Sequence, residues 1–125
     1  MKKIALVVDD EPMIRLMLSE MLSLVNFTVT QAEDGIEAMQ KIMETRPDVI
    51  ILDVMMPNMD GISVCKQLRH HPETADLPII IVSGKAQMND IEEGLEAGAD
   101  RYLRKPVALA EFLQNVREIA SGPTA

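Results

Sequence analysis

Asp9-Asp10, Asp53, Ser83-Gly84 and Lys105-Pro106 are the residues of this 125-residue chain whose types suit phosphoryl chemistry, and each group stands where a short apolar run stops. Carboxylate oxygens suit hard cations, and Mg²⁺ is usually held by one or two carboxylates with waters and phosphate oxygens. A carboxylate can also be the nucleophile in phosphoryl transfer, giving an acyl phosphate. Asp53 suits that role because the run before it, Val49 to Leu52, reads as a central strand on a rigid scaffold. Attack on phosphorus needs charge neutralisation on the equatorial oxygens, which a metal and a lysine supply, and Lys105 is the candidate cation. Three carboxylates, a hydroxyl and a lysine must then converge on one edge of the fold.

The elements that would bring them together are legible in the apolar pattern. Ile4 to Val8, Val49 to Leu52 and Ile79 to Val82 are runs of β-branched and aliphatic residues bounded by turn signals, which read as buried strands of a parallel sheet, and the weaker Arg101 to Leu103 stretch reads as another strand. Ligands of such sheets sit outside the carboxyl ends of the strands. Phe27 to Thr30 reads as a further strand that ends at Gln31-Ala32 without chemistry, so it belongs at an edge.

Helical periodicity fills the intervals. Pro12 suits a first helical position, and Ile14, Leu18, Met21, Leu22 and Val25 follow at three- and four-residue spacing. Asp34 with Glu37 marks a second helix start, with Ile36, Met39, Ile42 and Met43 as its apolar face. Ile62, Cys65 and Leu68 line a third helix ending near His70-His71-Pro72. Ile91 and Leu95 carry a fourth that Gly98 terminates, and Leu109, Phe112, Leu113 and Val116 a fifth. Five βα units predict an α/β doubly wound parallel sheet with helices on both faces, and strand order 2-1-3-4-5 suits an edge position for the second strand.

Composition narrows the function. With 20 acidic and 12 basic side chains the net charge is -8, which opposes approach to nucleic-acid phosphates or anionic lipid. The aromatic fraction of 2% leaves little for base stacking. Cys65 is the lone cysteine, so no intramolecular disulfide forms and the residue is expected to pack as a small apolar group. The apolar run after Met1-Lys2-Lys3 is too short for a signal peptide, and no segment reaches the ~18 apolar residues of a membrane span. A cytoplasmic protein without membrane insertion is expected, with one domain over residues 1–120 and a flexible C-terminal tail over 121–125.

Taken together, Asp9-Asp10, Asp53 with Met55-Met56-Pro57 and Asp60-Gly61, Ser83-Gly84 and Lys105-Pro106 make the chain resemble a response-regulator receiver domain of two-component signalling, over essentially its whole length. Each motif alone is weak; in this order at successive strand ends they are specific. The resemblance implies the flavodoxin-like (βα)5 fold and reinforces the 2-1-3-4-5 order. It further implies that Asp53 is the phosphoacceptor, that Asp10, Asp53 and the Met55 backbone carbonyl ligate Mg²⁺, and that Asp9 acts mainly through a metal-bound water. Ser83 and Lys105 would each bond a phosphoryl oxygen once Asp53 is modified. Gly84 would leave room beside that group, Tyr102 would be the switch aromatic that turns inward with Ser83, and the Lys105-Pro106 bond would be cis.

By the same resemblance the phosphoryl group comes from a histidine kinase or histidine phosphotransfer protein. Phosphorylation would change the surface of the helix at Asn89 to Glu96, the strand at Arg101 to Leu103 and the last helix, for a downstream effector protein. The chain would be a switch rather than an enzyme, promoting only its own phosphorylation and dephosphorylation, and a monomer or weak dimer. It reads as a stand-alone, chemotaxis-type receiver, with the receiver part of a larger regulator as the alternative. Met55 and Lys85 stand where the family tunes access of the hydrolytic water.

Other classes fit less well. A carboxylate-nucleophile phosphohydrolase wants a general acid two residues after the nucleophile, where Met55 stands. A flavodoxin-type carrier needs a hydroxyl- and glycine-rich first loop, where the chain has Asp9-Asp10-Glu11. A receiver that docks partners without phosphate stays open. His70 and His71 are adjacent at a helix end and read as solvated side chains rather than metal ligands. Met13, Met17 and Met21 recur every four residues and read as part of a broad core face, with a partner-binding patch as the alternative.

Overall fold

The computed structural model describes residues 2–120; the tail expected at 121–125 lies outside them. Ten elements alternate along the chain: β1 (Lys3–Val8), α1 (Pro12–Ser23), β2 (Phe27–Ala32), α2 (Gly35–Glu44), β3 (Val49–Leu52), α3 (Gly61–His70), β4 (Ile79–Ser83), α4 (Met88–Ala97), β5 (Arg101–Arg104) and α5 (Leu109–Ala120). The strands form one sheet in the order β2-β1-β3-β4-β5, every neighbouring pair parallel. Both the fold and the strand order expected from the sequence are present.

The period of two along each strand divides the core. Leu6, Val8, Ile50, Leu52, Ile79 and Ile81 face α2, α3 and α4, meeting Ala38, Ile42, Val64, Leu68 and Ala97. Ala5, Val7, Val49, Ile51, Ile80 and Val82 face the other way, toward Leu18 and Leu22 of α1 and Phe112 and Val116 of α5. Strands β3 and β4 are buried along their full length, which is why their sequences are continuous apolar runs rather than alternating ones.

Helix ends follow local chemistry. Asp34 caps α2 by accepting from Glu37 N at 2.8 Å, and Asp60 caps α3 by accepting from Ser63 N at 2.8 Å. Gln87 and Asp90 form a reciprocal box at the start of α4, and Gly98, at φ 119°, closes its end. Cys65 is fully buried, and burial pushes its thiol up to about 12.

Several apolar side chains expected in the core face solvent instead. On α2 the buried face is centred on Gly35, Ala38 and Ile42, which leaves Ile36 and Met43 roughly a quarter-turn away, and both are exposed. On α1 the buried face runs through Leu18 and Leu22, so Met13 projects from the opposite side while Met17 and Met21 pack partly against the core. Leu95 and Leu109 are also exposed. Among the described residues no helix is long and apolar enough to cross a membrane.

Candidate functional site

The backbone ladder continues one step past β1, β3 and β5, and that step fixes residues that carry chemistry. Asp9 N donates to Ala32 O at 3.2 Å, Asp53 N to Val8 O at 3.0 Å, and Lys105 N to Ser83 O at 3.0 Å. Consequently Asp9, Asp53 and Lys105 are positioned by the sheet itself and not by flexible loops. Asp9, Asp53 and Ser83 are almost fully buried, whereas Asp10 is exposed at the rim.

Lys105 Nζ lies 2.9 Å from Asp9 Oδ2, 3.3 Å from Asp53 Oδ2 and 3.7 Å from Glu11 Oε1. Asp9 Oδ1 accepts from Glu11 N at 3.0 Å, and Asp53 Oδ1 accepts from Met55 N at 3.4 Å. Carboxylate oxygens of Asp9, Asp10 and Asp53 all lie within 4.8 Å of one another. Three hard oxygen donors at that spacing, two of them buried with a single ammonium between them, suit a small divalent cation. The donor set fits Mg²⁺ and lacks the nitrogen or sulfur ligands that a softer metal favours.

Burial raises the Asp53 carboxyl above its ordinary range, and the Asp9 carboxylate raises it further, against smaller opposing contributions from Lys105 and the Ser83 hydroxyl. For Lys105, burial pulls the ammonium down, but the Asp9 and Asp53 carboxylates together outweigh it and the net direction is up. Burial first and the Asp9 charge second thus disfavour the ionised form of Asp53, and a metal cation would offset both.

On the far side of Asp53, Ser83 Oγ accepts from Lys85 N at 3.1 Å. The loop from Gly84 to Gln87 is tied to β5 twice: the Tyr102 phenol donates to Lys85 O, and Arg104 Nη2 donates to Ala86 O at 3.1 Å. Burial raises the Tyr102 phenol, with the Ser83 hydroxyl acting against it. Tyr102 also packs its ring beneath α4, so closely that a Cβ on Gly94 would lie 2.6 Å from it. A Cβ on Gly84 would meet nothing within 4 Å, which leaves open space beside the site. The Lys105-Pro106 bond is cis.

Six of the groups singled out in the sequence (Asp9, Asp10, Asp53, Met55, Ser83 and Lys105) lie at the carboxyl ends of the strands or in the loops that follow them, while Tyr102 stands within β5. His70 and His71 sit at the end of α3, away from this edge, their rings edge to face at 6.4 Å. Two further contributors, Glu11 and Arg104, had no motif to announce them, and Gly61 of the Asp60-Gly61 pair is a third. Glu11 adds a third carboxylate to Lys105, and Arg104 holds the loop before α4. Gly61, at the first position of α3, lies so close to β3 that a Cβ there would be 2.2 Å from Asp53 O. The Asp60-Gly61 pair was the available signal.

The sequence profile of the response regulator receiver domain matches residues 5–117. Response regulator MprA of Mycobacterium ulcerans (strain Agy99) is 46% identical over 114 residues, which are 91% of this chain and 48% of that protein. The chain thus spans about half the length of the curated relatives it matches. Among solved structures, the Francisella response regulator 1452 receiver domain superposes with a TM-score of 0.90 at 33% identity, covering 98% of this chain and 100% of that one. The receiver domain of sensor histidine kinase PA1611 from Pseudomonas aeruginosa PAO1, solved with a magnesium ion coordinated in its active-site cleft, does so with a TM-score of 0.89 at 30% identity, covering 98% and 100%.

Proposed function

The chain belongs to the response regulator receiver domain family, and from that premise we propose that it is a switch set by phosphorylation of Asp53. The observation that carries this reading is the buried Asp53 carboxylate, 3.3 Å from Lys105 Nζ and clustered with Asp9 and Asp10 oxygens. Asp53 attacks the phosphorus of a phosphohistidine on a histidine kinase or phosphotransfer protein. The P–N bond breaks, the imidazole leaves, and an acyl phosphate forms.

Asp10, Asp53 and the Met55 carbonyl are the groups proposed to hold Mg²⁺, with Asp9 acting through a bound water; the ion supplies charge neutralisation to the transferring group. Lys105 begins in its ion pairs with Asp9 and Asp53 and turns its charge to a phosphoryl oxygen. Ser83 donates its hydroxyl to another. As that hydroxyl reorients, its bond with Lys85 N is strained, and the loop tied to Tyr102 and Arg104 shifts with it. The output is an altered surface of α4, β5 and α5 that a downstream protein reads.

Docking of the phosphodonor is supported by the outward face of α1. Met13 and Leu16 are 75% and 49% exposed there, in the first turns of the helix that follows the loop carrying Asp9 and Asp10. An apolar face of this kind on a helix flanking the site suits a helical partner.

Intact mass after incubation with a small acyl-phosphate donor, with and without Mg²⁺, tests the chemistry. A Mg²⁺-dependent gain of one phosphoryl group, absent from Asp53→Asn, is expected. No gain in any condition would turn the reading toward a phosphate-independent docking module.

A further inference from the structure

We propose that the outward face of α4 receives a basic amphipathic segment of a partner protein, its apolar stripe seated on Met88, Ile91 and Leu95 and its lysine or arginine side chains reaching Glu92 and Glu96. Met88 is 80% and Leu95 45% exposed, and Ile91 between them is half-buried. Their three- and four-residue spacing lines them along one flank of the helix, with Glu92 and Glu96 adjoining that stripe one row over. Gly94 and Ala97 occupy the buried side. Glu93 lines a cleft of about 640 Å³ together with Ile62, Ser63 and Lys66 of α3, so the apolar flank lies on the side of α4 turned away from α3.

Charge selects the occupant. Helix α4 carries Asp90, Glu92, Glu93 and Glu96 and no basic residue. Asp90 is engaged, accepting from Gln87 N at 3.0 Å and lying 3.8 Å from Lys85 Nζ. Glu92, Glu93 and Glu96 form no ion pair among the described residues, whereas Glu118 of neighbouring α5 is paired with Arg101 at 2.8 Å. A second copy of this chain meeting the same face would set acid against acid. Nucleic acid and anionic lipid are repelled for the same reason. An apolar stripe rimmed by unpaired carboxylates is complemented by a helix with lysine or arginine beside its own apolar residues.

The dependence of this docking on phosphate rests on the switch proposed above, because the loop that leads into α4 is the one joined to Ser83, Tyr102 and Arg104. The chemistry of the surface does not.

Fluorescence anisotropy on the full chain tests both. The probes are two labelled synthetic helical peptides that share leucines at three- and four-residue spacing and differ only in flanking lysines or glutamates. Each is titrated at low and physiological salt, with Asp53 phosphorylation followed by mass in the same samples. The lysine peptide is expected to bind about tenfold tighter than the glutamate peptide, with the difference shrinking in salt. The doubly reversed variant Glu92→Lys, Glu96→Lys, surface changes whose fold is checked by circular dichroism, is expected to invert the preference. Equal affinity for the two peptides, or a preference that survives charge reversal, overturns the proposal. If the preference holds and inverts but is the same with and without phosphate on Asp53, the docking surface stands and its coupling to the switch fails.

Discussion

Lys105 Nζ spans Asp9 Oδ2 at 2.9 Å and Asp53 Oδ2 at 3.3 Å, so one cation from the end of β5 serves two buried carboxylates from β1 and β3. Asp53 sits above its ordinary range through burial first and Asp9 second. An acid whose folded value is raised binds more protons folded than unfolded, so it lowers stability at any pH above its folded value. In chelator at neutral pH, Asp53→Asn is therefore expected to melt higher than the wild type. That advantage should shrink as pH falls through the raised value and vanish below the unfolded carboxyl value of about 3.9. Thermal melts across that window check it; a variant that melts lower at neutral pH contradicts the electrostatic account.

Removing the cation acts in the opposite direction. Lys105→Met leaves Asp9 and Asp53 facing each other without compensation, and the metal-free protein is expected to lose melting temperature. Mg²⁺ should restore more stability to this variant than to the wild type, since a metal cation then supplies the charge the ammonium did. Acyl-phosphate labelling of Asp53 should nonetheless fall well below wild type. Melts with and without Mg²⁺, paired with mass analysis, separate the two effects; full labelling of the variant would remove Lys105 from the chemistry.

Gly61 and Gly84 are expected to differ as substitution sites. A Cβ at position 61 would lie 2.2 Å from Asp53 O and 3.0 Å from Val54 Cα, both of them backbone. Gly61→Ala must shift either β3 or α3, at a cost of about 1–3 kcal/mol for overpacking. The same change at Gly84 meets nothing within 4 Å, so the unphosphorylated protein should keep its stability within about 0.5 kcal/mol. Denaturant midpoints decide this, and equal losses at the two positions would be the contrary result.

Those two glycines also show what the chain makes legible. Asp9, Asp53 and Ser83 could be placed because each ends an apolar run, and a strand buried on both faces has to be such a run, whereas Lys105 follows the weaker, partly exposed β5. The close approach of Gly61 to Asp53 O depends on how α3 packs back on the end of β3, and the reach of Arg104 to Ala86 O joins β5 to the loop before α4; apolar spacing encodes neither. Met13, Ile36 and Met43 were misplaced for a related reason. Three- and four-residue spacing marks an apolar stripe, but the neighbouring elements decide how much of its width is covered. On α2, Ala38 and Ile42 are covered and the flanks are not.

Met55 is 63% exposed, two residues after Asp53, while its backbone N–H binds Asp53 Oδ1 at 3.4 Å. Its apolar side chain lines the cleft beside Asp10, in the path proposed for a hydrolytic water. Met55→Asn offers that water hydrogen bonds and is expected to shorten the lifetime of phosphorylated Asp53 several-fold, with little effect on its formation. Decay of the phosphorylated mass over time gives the answer, and a variant that loses phosphate no faster than wild type rules the role out.

Tyr102 joins the loop after β4 to α4 through its phenol, which donates to Lys85 O, and through its ring, which packs beneath Gly94 of α4. Tyr102→Phe keeps the ring and removes only the hydrogen bond. A neutral hydrogen bond of this type contributes about 0.5–1.5 kcal/mol, so the loop from Gly84 to Gln87 should open several-fold more often. Amides at Lys85 to Asn89 are then expected to exchange faster with solvent. Amides of β3, remote from the lost bond, should keep their protection, and labelling of Asp53 should proceed at the wild-type rate. Unchanged exchange before α4 would mean that Arg104 alone holds the loop through Ala86 O, and the switch would then have to act through that residue rather than through Tyr102.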